Sequence, residues 1–171
     1  GQDDDVVVGS PFTMREGLVA QKMIADCINT VVLRTSLAGN PTGSELLARV
    51  NQTTNSALAH SRLPFQRLVK ELQPHRARDH NPVFQVLFGV DLPVERIEAT
   101  GIEVADYFVD PGRSQLDLSL YLRETPTGLQ GDLYFNSDIF DRDTAARLVD
   151  YYVRILDALV DDLNLPIGDI G

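Results

Sequence analysis

Three histidines, one cysteine and 25 carboxylate residues are the groups in this 171-residue chain that could move a proton or hold a metal. His75 and His80 lie five apart with Asp79 between them, but a tetrahedral metal site asks for more ligands than that loop offers. The pair His60-Ser61 invites a base-and-nucleophile reading, yet adjacent residues on a helix point away from each other. His60 reads better as a helix-end residue, whose imidazolium would suit the C-terminal dipole. Asp117, Asp132 and Asp138 read as surface or cross-strand partners, not bases. Cys27 has no second thiol with which to form an internal disulfide or a metal cluster, and fits a reducing compartment. No glycine-rich phosphate loop is present. We therefore expect no catalytic residue and no metal site, only a scaffold. The polar groups worth following are Asn29, Thr30 and Arg34, which bracket the apolar run Val31, Val32 and Leu33. An Asn and an Arg beside a buried strand need hydrogen-bond partners. They are either satisfied structural groups or groups that hold a loop and strand beside a substrate channel.

The elements that would position them follow from periodicity. Residues 6–8, all Val, predict a first strand broken by Gly9-Ser10-Pro11. So Val-rich a strand belongs inside a sheet, and its appearance at the very start of the chain leads us to expect sheet neighbours from elsewhere. Residues 12–26 have no clean period and read as a loop with a short helix near 18–24. A second strand covers 28–35, and Leu37 to Pro41 form a turn. Thr42 and Glu45 fit a capping box that opens an amphipathic helix of about 16 residues ending near His60. Pro64 starts a second helix over 65–72, which Pro74 stops. Asn81-Pro82 closes a polar loop before a strand at 83–90. A loop at 92–101 and a strand at 102–108 follow. Residues 115–123 and 129–136 alternate Leu or Phe with polar residues around Pro126-Thr127-Gly128, a hairpin with one solvated face. Asp141 caps a long helix whose stripe is Ala145, Leu148, Val149, Tyr152, Ile155, Leu156 and Leu159. Asp161 and Asp162 oppose its dipole and predict fraying there. Leu165, Ile167 and Ile170 form a tail that docks or leads into a linker. The fold class is α/β (α+β): a mixed sheet with packed helices.

Composition narrows the partners. The formal net charge is -10, which argues against nucleic acid and against an anionic membrane surface. No apolar run approaches the roughly 18–20 residues of a membrane span. No signal-peptide pattern opens the chain. We expect a cytoplasmic protein.

Several stretches together resemble the condensation domain of nonribosomal peptide synthetases. Gly1-Gln2-Asp3-Asp4-Asp5-Val6-Val7-Val8-Gly9-Ser10-Pro11 is similar to the family's Gly-Gln-Asp-Asp-Val-Val-Val-Gly-Thr-Pro. The stretch from Ile24 to Arg34 resembles Ile-Gly-x-Phe-Val-Asn-Thr-x-x-x-Arg: Asn29, Thr30 and Arg34 match, while Ala25 replaces Gly and Cys27 replaces Phe. His60, Pro64 and Phe65 keep the pattern His-Gln-Asp-Tyr-Pro-Phe-Glu. Arg76, Asn81 and Pro82 match Arg-Asp-x-Ser-Arg-Asn-Pro-Leu, from which Ala77, Asp79 and His80 depart. Phe84-Gln85-Val86 and the run from Tyr134 to Asp141 also read like the family, so the resemblance is nearly end to end.

The resemblance implies a chloramphenicol-acetyltransferase-like fold of two subdomains, of which residues 1–171 would be the C-terminal portion and 163–171 the start of an inter-domain linker. The family's His-His-x-x-x-Asp-Gly motif belongs to the preceding part, and no two histidines are adjacent here. The implied enzyme is an acyltransferase of secondary-metabolite and antibiotic biosynthesis. It joins aminoacyl or peptidyl thioesters carried on the phosphopantetheine arms of carrier proteins, and binds no cofactor directly. This chain, inactive alone, would form one wall of the tunnel. Residues 12–26 would lie beneath the tunnel, and the 115–136 hairpin would reach toward the other subdomain. Ile24, Asn29 and Asn81 are the expected channel-lining or gate-fixing residues. Thr30, Arg34, His60, Pro64, Phe65, Arg76 and Pro82 are expected to be structural. Implied partners are the N-terminal subdomain, peptidyl carrier proteins and a downstream adenylation domain. The alternative is a non-catalytic condensation-like domain that recruits a partner enzyme such as an oxygenase; an upstream histidine motif, intact or broken, would discriminate.

Overall fold

The structure, a computed structural model, describes residues 4–15, 17–72, 81–91, 101, 114, 116–126 and 128–170. The elements are β1 (Asp5–Thr13), α1 (Gly17–Gln21), β2 (Ile28–Ser36), α2 (Gly43–Ala59), α3 (Phe65–Leu72), β3 (Val86–Asp91), β4 (Leu118–Thr125), β5 (Gly128–Phe135) and α4 (Arg142–Asp161), with a final 3-10 turn at Ile167–Asp169. They build one five-stranded mixed sheet in the order β2-β1-β3-β4-β5. β1 pairs antiparallel with β2 and parallel with β3, β3 pairs parallel with β4, and β4 pairs antiparallel with β5. The α/β class with a mixed sheet and packed helices is as expected. The loop at 92–101, of which Gly101 alone is described, and the strand at 102–108 lie outside the described residues.

β1 corrects two expectations. It does not stop at Gly9 but runs to Thr13, opposite Ile28. Its pairing with β3 covers only Val8 and Gly9. Pro11 lies beyond that short pairing, where a residue without an N–H is tolerated. Both neighbours of β1 also come from this chain, although of the Val run only Val8 is paired on both sides and Val6 is exposed. The outer strands of the described sheet are β2 and β5, not β1. β3 starts later than its sequence pattern predicts, because Asn81 folds the residues before it into a turn: Val83 N and Phe84 N both donate to Asn81 Oδ1, at 3.0 and 3.2 Å.

The helices start where their caps predict. Glu45 N donates to Thr42 Oγ1 at 3.3 Å and Thr42 N to Glu45 Oε2 at 3.0 Å, the reciprocal pair of a capping box. Thr144 N donates to Asp141 Oδ1 at 2.6 Å at the head of α4. That bond, first of several causes, holds the Asp141 carboxyl below its ordinary pKa. The remaining first-turn amides of α2 are satisfied by the tail. Gly43 N donates to Leu165 O at 3.1 Å and Ser44 N to Leu163 O at 2.8 Å. Gly43 lets the tail come close: a Cβ there would stand 2.6 Å from Leu159 Cδ2 and 3.2 Å from Leu163 O, so a larger residue would make Leu159 shift. Ile167 N reaches Pro41 O at 2.9 Å and Gly168 N reaches Asn40 Oδ1 at 2.7 Å. Residues 163–170 are thus stitched to the turn before α2, and Pro41 is fully buried. α4 remains helical to Asp161, and Asp162 takes up capping, its N–H donating to Ala158 O at 3.0 Å.

Within the predicted α4 stripe, Ala145 is buried, but Val149, Ile155 and Leu156 are exposed. The hairpin register pairs Leu118 with Phe135, Leu120 with Leu133 and Tyr121 with Asp132. Its polar side is less wet than the alternation predicts. Ser119, Tyr121 and Arg123 are half-buried. Tyr121 and Tyr134 meet edge-on at 6.0 Å, and Arg123 Nη2 lies 3.1 Å from Asp132 Oδ2. Burial, then the Asp91 charge, pushes the Tyr121 hydroxyl pKa up.

Candidate functional site

Asn29 sits where β2 begins, opposite Phe12. Its Nδ2 donates to Ser61 O at 2.7 Å and Leu63 O at 2.8 Å, and its Oδ1 accepts from Phe65 N at 3.1 Å. One side chain therefore ties the sheet to the whole turn between α2 and α3, and fixes where α3 starts. The next link is aromatic. The Phe65 and Phe84 rings are 5.5 Å apart at 49°. Phe84 is itself held by the Asn81 turn, and Gln85 Nε2 returns a bond to Asn81 O at 3.1 Å. The Phe84 ring lies against Gly9 so closely that a Cβ there would stand 2.3 Å from Cε2. Asn29, Phe65, Phe84, Asn81 and Gly9 form one latch across β1, β2, the α2–α3 turn and the approach to β3. Asn29 commits both amide hydrogens and its oxygen to backbone, so it fixes geometry and has no donor left for a substrate.

Ile24 stands apart. β1 and β2 pair to Thr13 and Ile28, and Met14 N donates to Cys27 O at 2.6 Å, closing the neck of a loop over residues 14–27. The loop contains the short α1, as residues 18–24 predict in part. Ile24 is fully exposed, at 105% of its reference area, and Leu18 and Met23 are exposed with it. Arg15 reaches across inside the loop: Nη1 donates to Ala20 O at 3.0 Å and Met23 O at 2.6 Å, and Nη2 to Ala25 O at 2.8 Å. The sequence reading missed Arg15. A lone Arg in an aperiodic stretch carries no pattern, and only the folded loop shows what it binds. It also missed Gly9 as a contact point, reading it as a strand breaker.

The structure places the other described residues of the motifs as follows. Thr30 is half-buried in β2 opposite Pro11. Arg34 grips Asp5 through Nε and Nη2, at 2.8 and 2.5 Å from Oδ2. That bond holds the Asp5 carboxyl below its ordinary pKa and raises the Arg34 guanidinium. His60 caps α2 at its C-terminal end, with its Nδ1 2.8 Å from Ser56 O. A carbonyl only accepts, so the Nδ1 carries the proton. Pro64 O accepts from Arg67 N and Leu68 N in the first turn of α3. Pro82 is half-buried beside Asn81. Arg76, and the His75, Asp79 and His80 group, lie outside the described residues. Among the described residues no cluster of three His, Cys, Asp or Glu could hold a metal, and no helix is long and apolar enough to cross a membrane.

The family model described as Condensation domain matches residues 1–171. The chain is 38% identical over 166 residues to malpinin synthetase of Mortierella alpina, covering 96% of this chain and 2% of that protein. It is 37% identical over 167 residues to the probable non-canonical nonribosomal peptide synthetase (NRPS) CymA of Salinispora arenicola, covering 94% of this chain and 2% of that one. Among solved structures it resembles the X-domain in the complex of the X-domain and OxyB from teicoplanin biosynthesis, at 28% identity and TM-score 0.79, over 98% of this chain and 38% of that chain. The starter condensation domain of the rhizomide synthetase RzmA has the same fold at 23% identity, TM-score 0.81, over 99% of this chain and 40% of that one.

Proposed function

The chain belongs to the condensation-domain family of nonribosomal peptide synthetases, and on that premise we propose that it is one part of an amide-forming condensation domain, supplying a wall of the substrate tunnel and no catalytic histidine. The end-to-end family match is the observation that carries this reading. The loop of residues 14–27 is the tunnel floor, with Ile24 facing the substrates. The Asn29 and Asn81 latch fixes the sheet and helix turn beside it. The β4–β5 hairpin faces the N-terminal subdomain, and residues 163–171 lead toward a downstream adenylation domain. The protein works in the cytoplasm.

The reaction asks little covalent chemistry of this part. The acceptor's α-amine attacks the donor thioester carbonyl, a C–N bond forms, the C–S bond breaks, and the donor carrier's phosphopantetheine leaves as a thiol. The amine proton goes to a nearby base, which the family's His-His-x-x-x-Asp-Gly segment would provide. Holding two tethered reactants in line is worth most of the rate, and a rigid wall serves that purpose.

The test is an assay of the intact parent domain with its flanking carrier proteins loaded with donor and acceptor thioesters, reading the amide product by the mass of the carrier-bound species. Product from the intact domain and none from this chain alone is expected. Product from this chain alone, or none from an intact domain whose upstream histidine motif is complete, overturns the reading. A second reading has a specific observation in its favour, the likeness to the teicoplanin X-domain seen with OxyB. In that reading the parent domain recruits a partner enzyme, and a broken upstream motif together with stable binding of an oxygenase would establish it.

A further inference from the structure

We propose that Arg15 is the positioning residue of the loop over residues 14–27: its guanidinium sets the loop's shape and so fixes where Ile24 meets the tethered substrates. The loop's purpose rests on the functional reading above; its shape rests on geometry alone.

Among the described side chains of residues 17–26, the large apolar ones are exposed. Leu18, Met23 and Ile24 are 77%, 50% and 105% exposed, so burial works outward from this segment. The described groups that span the loop include one planar cation. Arg15 Nη1 and Nη2 collect the carbonyls of Ala20, Met23 and Ala25. Ala20 lies in the last turn of α1, and its carbonyl accepts from Met23 N at 3.3 Å as well as from Arg15. The carbonyls of Met23 and Ala25 flank Ile24, and both are held on the Arg15 side while the Ile24 side chain is fully exposed. Arg15 is itself anchored beside the neck, its N–H donating to Thr13 Oγ1 at 3.3 Å and Met14 N closing on Cys27 O. A Lys at this position would keep the charge. Its single nitrogen lacks the fork that spreads donors over three separated carbonyls.

Two measurements test this. The first is amide hydrogen exchange on the whole chain for wild type, Arg15→Ala and Arg15→Lys. Exchange at Met14, Met23 and the α1 amides should speed up about tenfold or more in Arg15→Ala and by a smaller factor in Arg15→Lys. Exchange in β1, β2 and α2 should be unchanged. The second is the carrier-bound condensation assay on the intact parent domain. Arg15→Ala should lower kcat/KM by about ten- to a hundredfold, with Arg15→Lys only partly restored. Ile24→Ala should reproduce the loss in kcat/KM with wild-type exchange, separating the loop's shape from the side chain it presents. Unchanged exchange in Arg15→Ala overturns the assignment of Arg15. Loosened exchange with wild-type kcat/KM overturns its part in catalysis and leaves the proposed function standing. A wild-type parent domain that joins no thioesters overturns the proposed function, and with it the catalytic half of this proposal, whatever exchange shows. Exchange accelerated evenly over β1, β2 and α2 means Arg15 is merely structural, which also overturns it.

Discussion

Asn29 engages three backbone groups through one amide, two as donor and one as acceptor. Asn29→Ala leaves the Ser61 and Leu63 carbonyls and the Phe65 N–H without that partner. We expect a loss of about 2–4 kcal/mol in urea unfolding, since each such bond is worth about 1 kcal/mol and stranded partners add to the cost. Asn29→Asp is more informative. It keeps the acceptor for Phe65 N but aims negative oxygens at two carbonyls, so the introduced carboxyl's pKa is raised in the folded state. A raised folded pKa means stability present at low pH and lost as pH rises through it. Asn29→Asp should therefore fall further below wild type at pH about 7 than at pH about 4, and an equal deficit at both would contradict the assigned geometry. The Asp5–Arg34 pair has the opposite sign. Asp5 has a lowered pKa, so its contribution is full above its ordinary value of 3.8 and is lost as pH falls through the folded value. Both side chains are exposed, at 73% and 45% for Arg34 and Asp5, so salt should screen the pair. The destabilisation by Asp5→Asn should shrink between about 0.05 M and about 1 M salt, read by thermal unfolding.

At the scale of elements, the close approach of Phe84 to β1 decides how the approach to β3 docks on the sheet. Phe84 is 3% exposed and stands against Phe65, so its ring has little room to retreat. Gly9→Ala should cost about 1–3 kcal/mol by overpacking. Phe84→Leu alone should also destabilise, by leaving a void beside Phe65. The double variant Gly9→Ala with Phe84→Leu should be more stable than the two losses summed, because the shorter side chain makes the space the methyl needs. Strict additivity in chemical denaturation would mean that the two sites do not touch. The helices carry their own start signals: Thr42 with Glu45 and Asp141 with Thr144 are caps the sequence displays openly. The element boundaries that moved did so for tertiary reasons. β1 lengthens because nine residues of β2 pair with it. β3 shortens because the Asn81 carboxamide captures two amides first.

At the scale of the whole molecule, apolar surface is left over. Ile24 on the loop, Val90 on β3, Leu129 on β5 and Val160 on α4 are all more than half exposed, and β2 and β5 end the described sheet with strand edges that invite pairing. The isolated chain should therefore self-associate, and sedimentation velocity should show species above monomer that grow with concentration. A single compact monomer at every concentration would contradict this. The sequence by itself determined the alternation of the hairpin, the capped helices, the α/β class and the family motifs, because each is written in residues a few positions apart. It also pointed to Asn29, Thr30 and Arg34 as polar groups to follow, and the family resemblance added Asn81 and Phe65. Only the tertiary structure decided that Asn29 and Asn81 serve one aromatic latch, that β1 lies between β2 and β3, and that Arg15 spans its loop. Those facts depend on which strands become neighbours and in what register. Partners 32 to 36 residues apart, such as Asn29 with Ser61, Leu63 and Phe65, leave no periodicity to read. Long-range pairing is settled by the packing of the whole chain, where a side chain's role follows from what the fold places opposite it.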